Sequence, residues 1–356
     1  MKRGTTVAIL TLIVVCLAAA DQFLARVESA EVRNTAEHSY ATGSRLLENG
    51  KAREAIDDLR DAHSLERQND LYAIQLIAAL TSAGRINEAE PLLTEVLQRE
   101  PNDGRASLAA AHLMERKGDM AEAEAYFHRA IYGQWQDNTD ARRIAVRMEL
   151  IDLLAQTNRK QELLAELISL QAESPADAGI QRRLGPLFLE AGSPARAIDV
   201  YHAILDKDHQ DIAALEGLGE AELEEGQYRA AREAFDRAHE LDAENESVRN
   251  HLNTLSTVTG LDPTPRQLTS AEKYRRSRRI LEMAREQYGA CVTDVAQNRT
   301  TVAAADAALA RSAPAHVTNE AAEEVLSIAE MLWHAAPAAC AEKSEPLRLI
   351  MRKLAA

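Results

Sequence analysis

Charged side chains at helical spacing form the most chemically distinctive groups in the sequence. Three glutamates follow one another at four-residue intervals, at Glu216, Glu220 and Glu224. Residues four apart share one face of a helix, so this row could bind a basic partner, although such rows also occur as solvated helix faces. A mainly basic group lies upstream, at Arg105, His112 and Arg116. No second metal ligand stands at a suitable spacing from His112, so the pattern favours charge-based binding over a metal site.

Catalytic motifs are absent from the sequence. There is no G-x-S-x-G, phosphate-binding loop, H-E-x-x-H or dinucleotide-binding glycine pattern. We therefore predict that the protein is not an enzyme, has no small-molecule substrate and uses no cofactor or metal. The net charge of −15 also argues against nucleic acid as a partner, because affinity for phosphates depends on lysine and arginine.

Two of the three cysteines, Cys291 and Cys340, lie in the C-terminal region. They form neither a C-x-x-C redox motif nor a metal-binding spacing with histidine. In an oxidising compartment they are candidates for a disulfide, which would contribute about 3–4 kcal/mol by closing a loop of about 50 residues. Two separate buried thiols remain the alternative, because the sequence does not show their distance.

The elements that carry these groups follow a repeat of 34 residues. Gly50, Gly84 and Gly118 are evenly spaced, since 84 − 50 and 118 − 84 are both 34. Alanine, a large apolar residue and a small or branched residue recur at fixed distances after each glycine, as Ala55, Leu59 and Ala62, then Ala89, Leu93 and Val96, then Ala123, Phe127 and Ala130. Such a period indicates a pair of short helices that buries its apolar faces by stacking on its neighbours.

This pattern resembles the tetratricopeptide repeat, a helix-turn-helix unit of 34 residues. The resemblance continues at Gly192 and Gly226, which are again 34 residues apart, while Asn158 takes the turn in a weaker copy between Gly118 and Gly192. Pro101 and Pro175 stand where the family often has proline. We predict about six repeats, an insertion near residues 132–143, and an all-α fold: a right-handed α-solenoid with a C-terminal helical domain.

The resemblance implies that the first helix of each pair lines a concave surface where such proteins usually hold a partner peptide or helix. We call the residues expected there the predicted groove: Tyr40, Ile74, Arg105, His112, Arg116, Asp152, Arg182, Glu216, Glu220 and Glu224. The face is apolar in the second repeat, basic in the third and acidic in the sixth. A partner with an apolar anchor and charges of both signs would complement it.

The N-terminal segment, residues 1–20, is predicted to be a signal peptide or a transmembrane anchor. Lys2 and Arg3 precede an uncharged run over residues 4–20, and Asp21 follows it. Ala18-Ala19-Ala20 fits a cleavage site, whereas the unbroken helical pattern beyond it fits an anchor. Both interpretations place the repeats outside the cytoplasm. A lipoprotein acylated at Cys16 is a third interpretation, although the preceding valines do not fit the lipobox.

The remaining boundaries follow from changes in pattern. Residues 21–35 are expected to form a juxtamembrane helix or linker, and residues 36–255 the repeat array. Residues 256–268 read as a linker rich in helix breakers, and residues 269–356 as a small helical domain.

We predict a non-catalytic protein–protein interaction scaffold of the bacterial cell envelope. On this prediction it is anchored in the inner membrane with its body in the periplasm, or is periplasmic or secreted. The alternative is a structural component of an envelope complex that acts through the array edges and the C-terminal domain.

Overall fold

The computed structural model describes residues 2–174, 177–292, 298–312, 316–337, 340 and 344–355. The side chains of residues 2–21, 24 and 25 are outside this description. The N-terminal segment predicted to be a signal or anchor therefore lies outside the residues whose side chains are described. The chain divides into two compact units, residues 1–158 and residues 159–356.

Unit 1 consists of helices that pack in sequence order. They are α1 (Lys2–Glu48), α2 (Ala52–Leu65), α3 (Asp70–Ser82), α4 (Ile86–Arg99), α5 (Gly104–Lys117), α6 (Met120–Ile131) and α7 (Thr139–Gln156). Consecutive helices are in contact from α1 through α7, and α3 also contacts α5. The first helices of successive pairs are therefore neighbours, as stacking of repeats requires.

The turn inside each pair is made by the glycines of the 34-residue period. Gly50, Gly84 and Gly118 have φ angles of 74°, 78° and 82°. The amide of the residue after each glycine bonds to a carbonyl five residues earlier, for example Arg85 to Leu80 at 2.8 Å. This is the bonding pattern of the Schellman motif, which requires a residue in the left-handed region. Asn158 also lies in the left-handed region, with a φ of 55°.

In several pairs, close packing depends on a small residue on the first helix. A Cβ atom added to Gly43 would lie 2.6 Å from Cγ of Leu59, which is closer than side chains tolerate. The equivalent distance from Gly219 to Cε1 of Phe235 is 2.7 Å. In both cases the large residue comes 16 positions after the glycine. The small residue thus leaves the space that the apolar side chain of the second helix fills.

The segment between α6 and α7 folds back onto the start of α5. The amide of Gly104 donates to the carbonyl of Gln134 at 2.9 Å, and the amide of Gln134 donates to Asn102 at 2.8 Å. Nε1 of Trp135 donates to the carbonyl of Ala130 at 2.9 Å, and its ring packs on Gly104. The predicted insertion is therefore an ordered part of unit 1.

Unit 2 contains the later helix pairs and the C-terminal region. Its helices are α8 (Lys160–Glu173), α9 (Ala178–Glu190), α10 (Pro194–Leu205), α11 (Ile212–Glu224), α12 (Tyr228–Leu241), α13 (Glu246–Leu261), α14 (Ser270–Cys291), α15 (Arg299–Ala310), α16 (Asn319–Ala335) and α17 (Glu345–Ala355). Gly192 and Gly226, with φ of 74° and 83°, repeat the turn of unit 1. Pro186 lies inside α9, which continues beyond it to Glu190.

Helix α13 runs to Leu261, so residues 256–261 of the predicted linker are helical. Leu255, Val258 and Leu261 recur at every third position and are buried, so the helix has an apolar face as far as its end. The predicted linker is correspondingly short. Thr269 caps α14, since its Oγ1 accepts a bond from the amide of Glu272 at 3.2 Å.

The C-terminal region packs on the end of the repeats within unit 2. α13 contacts α12, α14 and α17, and α16 lies along α14. Two arginines of α14 reach the carboxyl ends of neighbouring helices: Arg276 donates to the carbonyl of Asp262 at 2.8 Å, and Arg278 donates to the carbonyl of Leu309 at 2.6 Å. Arg276 and Arg278 therefore help to join the helices of this region.

Among the described residues, no helix combines the length and the apolar character that crossing a membrane requires.

Candidate functional site

A cleft of about 440 Å³ opens on the face of unit 1 formed by α3, α5 and the start of α6. We call it the inner cleft. It is lined by Ala78, Thr81, Ser82, Ala109, His112, Glu115, Arg116 and Met120. Its alanines follow from the repeat, because small residues on the first helices leave space between neighbouring pairs. The volume lies within the range of about 300–1,000 Å³ found for binding pockets.

The charged groups of the inner cleft differ in whether their side chains already have partners within the protein. Nε2 of His112 lies 2.6 Å from Oε2 of Glu149, and its ring meets Phe127 edge-on at 5.8 Å between centroids. His112 is therefore fixed by the fold. Arg116 and Glu115 are exposed, and neither side chain has a hydrogen bond or ion pair to any residue that the structure describes. These two are the charges that the cleft offers to a ligand.

The other predicted groove residues of unit 1 lie away from this opening or inside the protein. Ile74 is 7 % exposed and belongs to the core of α2, α3, α4 and α5, so it presents little surface to a partner. Tyr40 is half-buried and stacks on Tyr72 with centroids 4.9 Å apart. Asp152 is half-buried on α7.

Arg105 is engaged at the edge of unit 1. Its Nη2 donates to Oδ2 of Asp103 at 2.7 Å and its Nη1 to Oε1 of Gln136 at 3.2 Å, which ties α5 to the segment after α6. Burial alone would raise the pKa of Asp103, but the bonds from Arg105 and the amide of Ala106 lower it. Arg105 therefore has a structural role that its helical spacing did not indicate.

In unit 2 the predicted groove residues are bound by side chains of the same unit. Arg182 pairs with Asp211 at 3.0 Å. Glu216 accepts a bond from Asn245 at 3.4 Å, and Glu220 lies 3.5 Å from Nε2 of His251. Glu216 and Glu220 are thus half-buried, and each has a partner side chain within unit 2.

Glu224 binds the last helix of the chain. Its carboxylate accepts bonds from Arg348 at 3.1 Å and Arg352 at 2.8 Å. Tyr228 donates to the carbonyl of Leu349 at 2.7 Å, and Lys353 pairs with Asp262. The sequence contains a signal for this arrangement, because apolar and basic residues alternate at helical spacing in α17, but it does not show where the helix docks.

The structure joins Cys291 of α14 to Cys340 by a disulfide, with Cα atoms 5.9 Å apart. The carbonyl of Cys340 also accepts a hydrogen bond from the buried Gln287 of α14. Among the described residues, a metal ion could be held by one group of histidine and carboxylate side chains, Glu216, Glu220 and His251.

Comparison with known proteins identifies tetratricopeptide repeats in two parts of the chain. Residues 46–113, 80–134 and 182–246 match the tetratricopeptide repeat family. These ranges contain the glycine turns at Gly50, Gly84, Gly118, Gly192 and Gly226. No curated protein matches the whole sequence significantly.

Solved structures that resemble the chain include YrrB, described as a tetratricopeptide repeat protein with an unusual peptide-binding site. It is 15 % identical, with a TM-score of 0.41, over 54 % of this chain and 96 % of its own. PilW, described as a type IV pilus biogenesis factor, is 15 % identical with a TM-score of 0.41, over 61 % of this chain and 98 % of its own. PilF of Pseudomonas aeruginosa is 19 % identical with a TM-score of 0.32, over 58 % and 83 % of the two chains. These likenesses concern the fold alone.

The helix pairs, their glycine turns and the family matches together show that the chain is a protein with tetratricopeptide repeats, over residues 46–134 in unit 1 and residues 182–246 in unit 2.

Proposed function

We propose that the protein is a non-catalytic scaffold that holds a segment of a partner protein in the inner cleft of unit 1. The observation that carries this proposal is the pair Arg116 and Glu115, which are exposed on the cleft wall and unengaged among the described residues. Most other charges of the predicted groove are bound within the protein. A repeat fold supports protein–protein interaction in general, and the inner cleft supports unit 1 as the part of the chain that binds.

The chemistry of the walls indicates the kind of segment that fits. Ala78, Ala109 and Met120 provide apolar contact, and Arg116 and Glu115 provide one charge of each sign. A short stretch with a small apolar side chain between an acidic and a basic residue would complement them. The charges would fix its register more than its affinity, because they stay exposed to water.

Site-specific photo-crosslinking in cells tests this proposal. Benzoylphenylalanine at Ser82, which is exposed on the cleft wall, should give a discrete crosslinked product, whereas the same residue at the exposed Ala125 of α6 should not. Arg116→Glu should abolish the Ser82 product, and Arg53→Glu, an equal charge change on the exposed face of α2, should leave it intact. Equal products at both positions, or a product insensitive to Arg116→Glu, would contradict it.

We also propose that the repeats lie outside the cytoplasm, in the bacterial cell envelope. The basic residues and uncharged run at the start of the sequence support this, and so does the disulfide between Cys291 and Cys340, since disulfides persist in oxidising compartments. Trapping thiols in intact cells and comparing migration with and without reductant measures the state of these cysteines. Fully reduced Cys291 and Cys340 in growing cells would contradict the location.

A further inference from the structure

Two carboxylates and one imidazole converge on the surface that α11 and α13 form in unit 2. Glu216 and Glu220 lie one turn apart on α11, and His251 is on α13. One oxygen or nitrogen atom of each lies within 4.8 Å of the other two, and all three residues are half-buried. Donors of a metal site are therefore brought together by two separate helices.

Their separation suits a single ion. Oε1 of Glu220 lies 3.5 Å from Nε2 of His251. Two ligands of a tetrahedral zinc ion, each about 2.0–2.1 Å from the metal, are about 3.3 Å apart. Small side-chain rotations would thus allow both atoms to bind the same ion.

Neighbouring side chains hold two of the three donors in place. The imidazole of His251 stacks on the ring of Phe235, with centroids 4.7 Å apart and planes within 8° of parallel. Oε2 of Glu216 accepts a bond from Nδ2 of Asn245 at 3.4 Å. Metal ligands depend on such outer contacts for their orientation, and these contacts are formed within the protein itself.

The charge of the group also calls for a cation. Glu216 and Glu220 place two carboxylates beside one imidazole. A divalent cation bound between them would balance their negative charge.

We propose that Glu216, Glu220 and His251 form a binding site for a divalent transition-metal ion such as Zn²⁺. The bound ion would join α11 to α13. The imidazole favours Zn²⁺ over Mg²⁺ and Ca²⁺, which prefer oxygen ligands alone. Three protein donors leave a fourth position for water or for a donor from another molecule. The site is in unit 2 and is independent of the peptide-binding cleft proposed in unit 1.

Calorimetric titration of the full-length chain with ZnCl₂, and separately with MgCl₂, tests the proposal. We expect binding of one Zn²⁺ that Glu220→Gln and His251→Gln each weaken about ten-fold or more, since even outer-shell changes cost that much. Glu225→Gln at the end of the same helix and His202→Gln, both at exposed positions, are matched controls that should bind as the wild type does. Mg²⁺ should bind far more weakly.

The decisive variant is Glu220→Gln, because it preserves the shape of the side chain and leaves the stack of His251 on Phe235 intact. Circular dichroism establishes that each variant folds. Lowering the pH from 7.5 to 5.5 should weaken Zn²⁺ binding, because a proton then competes for Nε2 of His251. Absence of Zn²⁺ binding, binding that Glu220→Gln leaves unchanged, or an affinity independent of pH would each overturn the proposal.

Discussion

The carboxylate of Glu224 on α11 accepts a hydrogen bond at 2.8 Å from Arg352 on α17, 128 residues further along the chain. Arg348 binds its other oxygen at 3.1 Å, and Arg352 also donates to the main-chain carbonyl of Glu224 at 2.9 Å. The carboxyl end of a helix favours cations, so both the side chain and the backbone of Glu224 attract these guanidinium groups. One residue of the sixth repeat thereby secures the last helix.

We predict that Glu224→Gln loosens α17. A neutral amide cannot hold two guanidinium groups as a carboxylate does, and the loss should be about 1 kcal/mol because the group is half-exposed. Hydrogen exchange of residues 345–355 should accelerate about five-fold. Glu225→Gln, at an exposed neighbouring position, should leave exchange unchanged. Equal protection in the two variants would show that α17 is held by its apolar face alone.

The same contact has a defined pH dependence. Burial alone would raise the pKa of Glu224, but the bonds from Arg352 and Arg348 lower it below its usual value. A lowered folded pKa means that the stabilisation is present above the unfolded pKa and is lost as the pH falls through the folded value. Wild type and Glu224→Gln should therefore differ in hydrogen exchange at pH 7 and converge in strongly acidic solution.

We predict that Gly84→Ala destabilises unit 1 through the backbone. A Cβ atom at Gly84 would meet no other atom within 4 Å, but the φ of 78° costs an L-residue about 1–2 kcal/mol. Urea unfolding of the full chain should show this loss. Gly260→Ala is the matched control, because Gly260 is helical and equally open. Alanine there should stabilise by about 0.5–1 kcal/mol. Losses of similar size at both positions would contradict the backbone explanation.

The repeats could be predicted because their interactions are local and periodic. A glycine that must adopt positive φ, such as Gly84, and a small residue that receives a side chain 16 positions later, such as Gly43 beneath Leu59, recur in most of the copies. The 34-residue period therefore predicts both the turns and the packing of the helix pairs. The family matches and the helix pairs confirm the fold that this period predicts.

The binding surface could be predicted only in part, because helical spacing does not tell which side of a helix is covered. Ile74 shares the spacing of the groove face but is buried in the core. Glu224 is covered by α17, and a contact across 128 residues has no local signal. Arg116 has the same spacing and stays exposed. Whether a side chain on this face is exposed thus depends on segments distant in the sequence. The periodicity of the repeats does not show where those segments pack.

We predict that reduction of the disulfide destabilises unit 2. Cys291 and Cys340 close a loop with a sequence separation of 49, and constraining such a loop in the unfolded chain is worth about 4 kcal/mol. Thermal melts with and without a phosphine reductant should differ by several degrees. The double variant Cys291→Ser, Cys340→Ser should melt at the lower temperature under both conditions. Melts that do not respond to the reductant in the wild type would contradict this prediction.

Glu222 provides a further pH-dependent prediction. It is 6 % exposed, and its Oε2 has no hydrogen-bond partner among the described residues. Burial, together with the negative charge of Glu233, raises the pKa of Glu222 to about 7. The protonated form is thus favoured in the folded state. Its contribution to stability is complete below the unfolded pKa and is lost as the pH rises through the folded value.

Glu222→Gln should remove this pH dependence, because the amide is neutral throughout. Wild type and variant should be about equally stable at pH 4, and at pH 8 the variant should be more stable by up to about 3 kcal/mol. Urea unfolding at both pH values measures the difference. Glu225→Gln, at an exposed position next to the same turn, should show no such gain. A gain of equal size at pH 4 would show that packing, and not charge, is responsible, since ionisation of Glu222 has no effect on stability where the residue is protonated in both states.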